Sequence, residues 1–170
     1  MGLEFDVDPA DVPEIRTVDE PPAAMVARLC RAKAAAVAER HPAALVVAAD
    51  TTVAMGDEVL EKPRDAFENA AFLRRLSGRD HVVHTGHCLV RAGRVVDEVR
   101  STTVRFRTLD EADVAWYVAS GEGLDKAGGY AIQGLGACLV DAVHGCYTNV
   151  VGLSLPTVLR GARVLGVRLV

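Results

Sequence analysis

The sequence predicts an α/β fold, a sheet flanked by helices with its ligand site at the end of a central strand, and three observations predict it. The apolar, β-branched run Leu45–Ala49 is short and unbroken, which suits a strand buried on both faces. Residues with helical spacing precede it, from Pro21 or Pro22 to Glu39, and follow it, from Asp65 to Leu76. Two longer runs with strand character, His81–Val90 and Arg94–Phe106, meet at Ala92-Gly93. At 170 residues, half of them hydrophobic and a quarter charged, the chain is expected to form one soluble domain with a sizeable core.

Leu3–Val7 is the first strand candidate, and an acidic, proline-punctuated loop follows it. Glu14 lies in this loop and on sequence alone reads as a solvated charge. The next segment accepts proline in a first helical turn and is rich in Ala, Leu, Met and Arg. Val26, Leu29 or Cys30, Lys33 and Val37 share one face of that helix. Lys33 therefore lies within the apolar stripe, where it either snorkels out of the core or aims its ammonium at a ligand. His41-Pro42 ends the helix. The central strand is expected to stop at Asp50-Thr51-Thr52, which puts a carboxylate and two hydroxyls at the strand end where open α/β sheets bind ligands. Gly56-Asp57 suits a hairpin turn that returns Lys62 towards Asp50. By itself Asp50 reads equally well as a turn former or helix cap.

Asp65 with Glu68 makes an Asp version of the capping box, and Ser77-Gly78 closes that helix around Ala70, Phe72, Leu73 and Leu76. Thr102, Val104 and Phe106 alternate with Thr103, Arg105 and Arg107, as a half-exposed strand requires. Thr108–Glu111 is read as a capping box opening a helix that Ser120-Gly121 closes, with Trp116 and Tyr117 as packing residues. In Gly123–Gly136, GLDKAGGYAIQGLG, closely set glycines permit left-handed backbone and close approach to a ligand. Lys126 in this stretch faces a ligand or pairs with Asp125, and Gln133 faces a ligand or satisfies its own loop. Ala137–Val143 is expected to be a strand, Asp141–Thr148 a turn with its flank, and Ser154–Leu165 a final helix with Pro156 in its first turn.

Several classes are excluded. A net charge of −4 gives no general attraction to a nucleic-acid polymer or a membrane surface, and no apolar run is long enough to span a bilayer. Cysteines at 30, 88, 138 and 146 form no CxxC pair and read as buried or incidental thiols of a reducing compartment, so a cytoplasmic protein is expected. His81, His84 and His87 do not make a zinc site, because residues three apart on a strand point to opposite faces.

Six segments in order, RLCRAKA, AADTTV, EVLEKP, LRRLSGRDHVVHTG, LDKAGGYAIQG and YTNVVGLSL, resemble the Maf family of nucleoside triphosphate pyrophosphatases, from Gly2 to about Leu165. The resemblance implies an elongated mixed sheet with flanking helices and two lobes around a cleft, and cleavage of a nucleoside triphosphate to monophosphate and pyrophosphate with a divalent cation, Mg²⁺ or Mn²⁺. It matches Asp50 to the catalytic base, and the carboxylates of Asp50 and Glu14 are the expected ligands of the cation. It also implies that Lys33, Lys62 and Gln133 bind substrate, with Thr51 and Gln133 at base-selecting positions, and Lys126 is expected to join Lys33 and Lys62 in offsetting the charge of the triphosphate. The DKAGGYAIQG form resembles the branch acting on dTTP and UTP, and the family resemblance implies a homodimer. Asp50, Lys62 and Gln133 are accordingly expected to share one hollow. Two departures bear on activity: the family's Ser-x-Ser-Pro-Arg-Arg strand and loop precede the residues that match Gly2–Val7, and Glu61 stands where the family has glycine. A chain without that segment is expected to lack a polyphosphate clamp. The second function class is therefore a catalytically impaired nucleotide-binding or regulatory protein linked to septum formation.

Overall fold

In a computed structural model that describes residues 2–170, five strands form one sheet: β1 (Val46–Met55), β2 (Glu58–Leu60), β3 (Asp80–Arg91), β4 (Arg94–Phe106) and β5 (Val140–His144). Their order is β2-β1-β3-β4-β5, and every pairing is antiparallel. The β1–β2 turn uses Gly56 at φ 63°. The β3–β4 turn puts Ala92 and Gly93 in the left-handed region, at φ 47° and 76°, as a two-residue hairpin matched to strand twist demands.

Strand alternation sorts the side chains onto two faces. Helix α1 (Pro22–Arg40) covers one face, where Cys30 and Ala34 pack on Ala48, Cys88 and Val90. Gly86 makes that approach possible, since a Cβ there would lie 2.3 Å from the Val26 carbonyl oxygen. The other face carries α2 (Ala66–Leu76), α3 (Glu111–Ser120), α4 (Tyr147–Val151) and α5 (Leu155–Val164). Leu73, Leu76, Tyr117 and Tyr130 pack there with Val53 and Val83, and Val158, Ala162 and Leu165 pack with Leu89. No helix of the described residues is long and apolar enough to cross a membrane.

Several local expectations are corrected. Leu3–Val7 forms no strand: it pairs with none of the five strands, and Phe5 and Val7 are 80% and 81% exposed. The central strand does not stop at Asp50 but runs on to Met55, because the β2 hairpin and β3 continue to pair with it. The α3 capping box is made by Asp110 and Asp113, two residues beyond the predicted one, and Trp116 is exposed while Tyr117 is buried. Gly134–Leu139 coils as a 3-10 turn, which delays β5 to Val140. Helix α4 was not foreseen; at five residues it is too short for hydrophobic periodicity to reveal.

The histidines do not converge. His81 and His87 are buried on the face that carries α5, and His84 bonds Ser101 instead. Ser154 N–H donates to His87 Nε2 at 2.8 Å, so the His87 proton resides on Nδ1. His81 Nε2 lies 2.7 Å from the Tyr130 hydroxyl, while its Nδ1 has no partner. Burial lowers the His81 pKa to about 4, below the ordinary 6.5. The fold thus refuses a proton that the unfolded chain accepts below 6.5. The stabilisation is complete above 6.5 and is lost as pH falls towards 4, at a cost of about 3 kcal/mol. Denaturant midpoints at pH 7, 5.5 and 4.5 should fall steadily, and His81→Phe should flatten that slope; equal slopes would show that His81 does not control it.

Candidate active site

Because β1 continues through Asp50, alternation alone decides where its neighbours point. Asp50 faces α1, where Lys33 lies three residues beyond the Cys30 packing contact. Lys33 Nζ is 2.6 Å from Asp50 Oδ1 and 2.6 Å from Glu14 Oε1, so one ammonium serves two carboxylates. The Asp50 side chain is only 9% exposed. Burial raises its carboxyl above the usual carboxylate range against the opposing bond from Lys33, and the nearby Glu14 charge adds to the rise. Burial also works against the Lys33 ammonium, but its two carboxylate partners outweigh that and hold its pKa up.

Glu14 reaches this cluster from irregular backbone. Glu20 pairs with Arg28 at 2.6 Å, Arg28 holds the Ile15 carbonyl at 3.0 Å, and Arg16 reaches the Asp57 carbonyl at 3.1 Å. The reading of Glu14 as a merely solvated charge is therefore corrected. It is an ion-paired member of a cluster whose other two residues come from α1 and β1.

Thr51 points to the opposite face and lines a cavity of about 240 Å³ together with Lys62, Lys126, Tyr130, Ile132 and Gln133. Its hydroxyl lies 2.9 Å from Thr85 Oγ1 and 3.4 Å from the Gly152 carbonyl, so α4 forms one wall. Val53 pairs with Leu60, and extending that register places Lys62 beside Thr51. Lys126 forms the ion pair with Asp125, at 2.6 and 2.7 Å, and both residues line the cavity. Asn69 anchors the glycine-rich bend by donating to the Gly129 carbonyl at 2.7 Å, and Gly128 lies so close to β1 that a Cβ would be 2.8 Å from Val53.

Asp50 is not among the residues lining this cavity. The single hollow expected for Asp50, Lys62 and Gln133 is thus divided: Lys62 and Gln133 share the cavity, and Asp50 joins Lys33 and Glu14 across the strand. Between them lies the free edge of β1. One edge of Val46–Ala54 pairs with β3, whereas β2 covers the other only at Val53–Met55. Among the described residues Val46–Thr52 leave that edge open, and it connects the two half-sites. A second, more open hollow of about 420 Å³ at Arg163, Gly166, Val167 and Arg168 contains none of these residues.

A family model described as Maf-like protein matches residues 1–163. The chain is 47% identical to a dTTP/UTP pyrophosphatase of Deinococcus radiodurans, over 98% of this chain and 85% of that protein. It is 53% identical to a dTTP/UTP pyrophosphatase of Myxococcus xanthus, over 91% and 79% respectively. A dTTP/UTP pyrophosphatase of Pyrococcus furiosus is 37% identical over 91% of this chain and 81% of that protein.

Proposed function

The chain belongs to the Maf family, and from that premise we propose that it hydrolyses pyrimidine nucleoside triphosphates, dTTP and UTP, to the monophosphate and pyrophosphate. The observation that carries the reading is the two-sided site: a small cavity with Thr51 and Gln133 on one face of β1, and a largely buried carboxylate on the other, joined by an open strand edge. The base lies in the cavity, where Gln133 and Thr51 offer an amide and a hydroxyl to its polar edge. The phosphates run past Lys62 and Lys126 over the β1 edge towards Asp50, and these ammonium groups offset their charge.

Asp50 accepts the proton of the attacking water. Burial favours this role, because a carboxylate raised above its ordinary pKa is the stronger base, and the Lys33 bond fixes its orientation. Attack on the α-phosphorus breaks the bond to the bridging oxygen, and pyrophosphate leaves with the electron pair. Asp50 and Glu14 fit a hard divalent cation by donor type, since Mg²⁺ takes one or two carboxylates and completes its shell with substrate phosphates and water. The described residues hold no cluster of three or more His, Cys, Asp or Glu, so phosphate oxygens would be needed. When bound, such a cation supplies charge neutralisation at the phosphates.

Pyrophosphate release from a panel of nucleoside triphosphates tests the reading. UTP and dTTP should be turned over in preference to ATP and GTP, and a chelator should abolish release. A chain that binds UTP yet releases no pyrophosphate with Mg²⁺ or Mn²⁺ would favour the binding or regulatory class instead.

A further inference from the structure

The bend that carries Gln133 is held from both sides by one pair of side chains on α3 and its carboxyl end. Two residues before Gln133, the Ala131 N–H donates to the Tyr117 hydroxyl at 3.0 Å. Two and three residues after it, the N–H groups of Leu135 and Gly136 donate to Glu122 Oε1 and Oε2, each at 2.9 Å. The Tyr117 hydroxyl donates to Glu122 Oε2 at 2.9 Å, which closes the network. Glu122 is itself held in place: Gly121 ends α3 in the left-handed region at φ 71°, and the Glu122 N–H donates to Ser120 Oγ at 3.2 Å.

The glycines fit this arrangement tightly. A Cβ on Gly134 would lie 2.1 Å from Glu122 Oε1, and one on Gly136 would lie 2.0 Å from the Ala131 carbonyl oxygen. Gln133 itself is exposed and extended, at φ −86° and ψ 160°, so its direction is inherited from the residues on either side. Nothing in the sequence reading singled out Glu122 or gave Tyr117 more than a packing role.

We propose that Glu122, acting with Tyr117, is a positioning residue for base recognition: the carboxylate holds residues 131–136 in the shape that presents Gln133 to the cavity. This rests on the reading of that cavity as the base site. Glu122→Gln keeps the size of the side chain but turns one acceptor into a donor facing a backbone N–H, so one of the two bonds is lost and the bend opens. The Tyr117 and Glu122 changes belong to one network and should therefore not add.

The test compares two probes, UTP and inorganic tripolyphosphate, which shares the phosphate chain but has no base. Calorimetric titration of the whole chain should show Glu122→Gln weakening UTP about tenfold while tripolyphosphate stays within about twofold. Tyr117→Phe should move UTP in the same direction, and the double variant should be no worse than Glu122→Gln alone. In turnover the loss should appear in KM more than in kcat, with the UTP-to-ATP ratio of kcat/KM falling. Equal weakening of both probes would mark Glu122 as merely structural and overturn the proposal, as would unchanged UTP binding. If Glu122→Gln does not fold, Tyr117→Phe decides by the same comparison. A wild-type chain that prefers UTP over tripolyphosphate but hydrolyses neither would end the catalytic reading and leave this one standing; one that binds both equally would end this one.

Discussion

Asp50→Asn is expected to lower kcat for UTP by roughly 10²- to 10⁴-fold, the usual worth of a positioned general base, while UTP affinity changes only a few-fold. The separation follows from strand alternation. Asp50 faces Lys33 and Glu14, whereas Thr51, Lys62 and Gln133 line the cavity on the other side, so the substitution leaves the residues around the base untouched. The asparagine amide still accepts the Lys33 bond through its oxygen but takes no proton at neutral pH. Steady-state pyrophosphate release and equilibrium UTP binding, measured side by side, check both halves. Undiminished kcat would remove Asp50 from the chemistry, and a collapse of UTP affinity would contradict the divided site.

The second large effect is expected at a residue with no side chain. Gly86→Ala should destabilise the protein by about 1–3 kcal/mol and reduce turnover as well. Its Cβ would lie 2.3 Å from the Val26 carbonyl oxygen and 3.0 Å from Cys30 Sγ, and a backbone carbonyl cannot rotate away as a side-chain terminus can. Helix α1 must therefore lift from β3. Gly86 is the direct partner of Asp50 in the β1–β3 ladder, so lifting α1 there carries Lys33 away from the carboxylate. Urea midpoints together with kcat should show both losses, and a variant with an unchanged midpoint would mean that α1 does not pack as described.

The sequence revealed the helices and hairpins whose signals are local. The α1 stripe, the Asp65 cap, the Gly56-Asp57 turn and the Ala92-Gly93 turn depend on residues within a few positions of one another, and each is found where its residues predicted it. The family and its motif order were legible too, since AADTTV, EVLEKP and LDKAGGYAIQG are contiguous strings. The Asp65 box was only half right: Asp65 accepts from Glu68 N–H, but Glu68 turns to the Arg64 N–H at 2.7 Å instead of the cap.

By itself, then, the chain's order of residues determined which elements form, which family they compose and which polar groups are available. Only the tertiary structure decided that Asp50 and Thr51 serve opposite faces, that Glu14 is ion-paired and that Glu122 grips the bend around Gln133. Asp50 reads as the end of a strand until β3 is seen to pair on through it, and Glu14 reads as solvated until α1 brings Lys33 to it. The physical reason is that a hydrogen-bonded partner distant in sequence sets where a strand ends, which way its side chains point and which charges meet, and no local pattern records that partner.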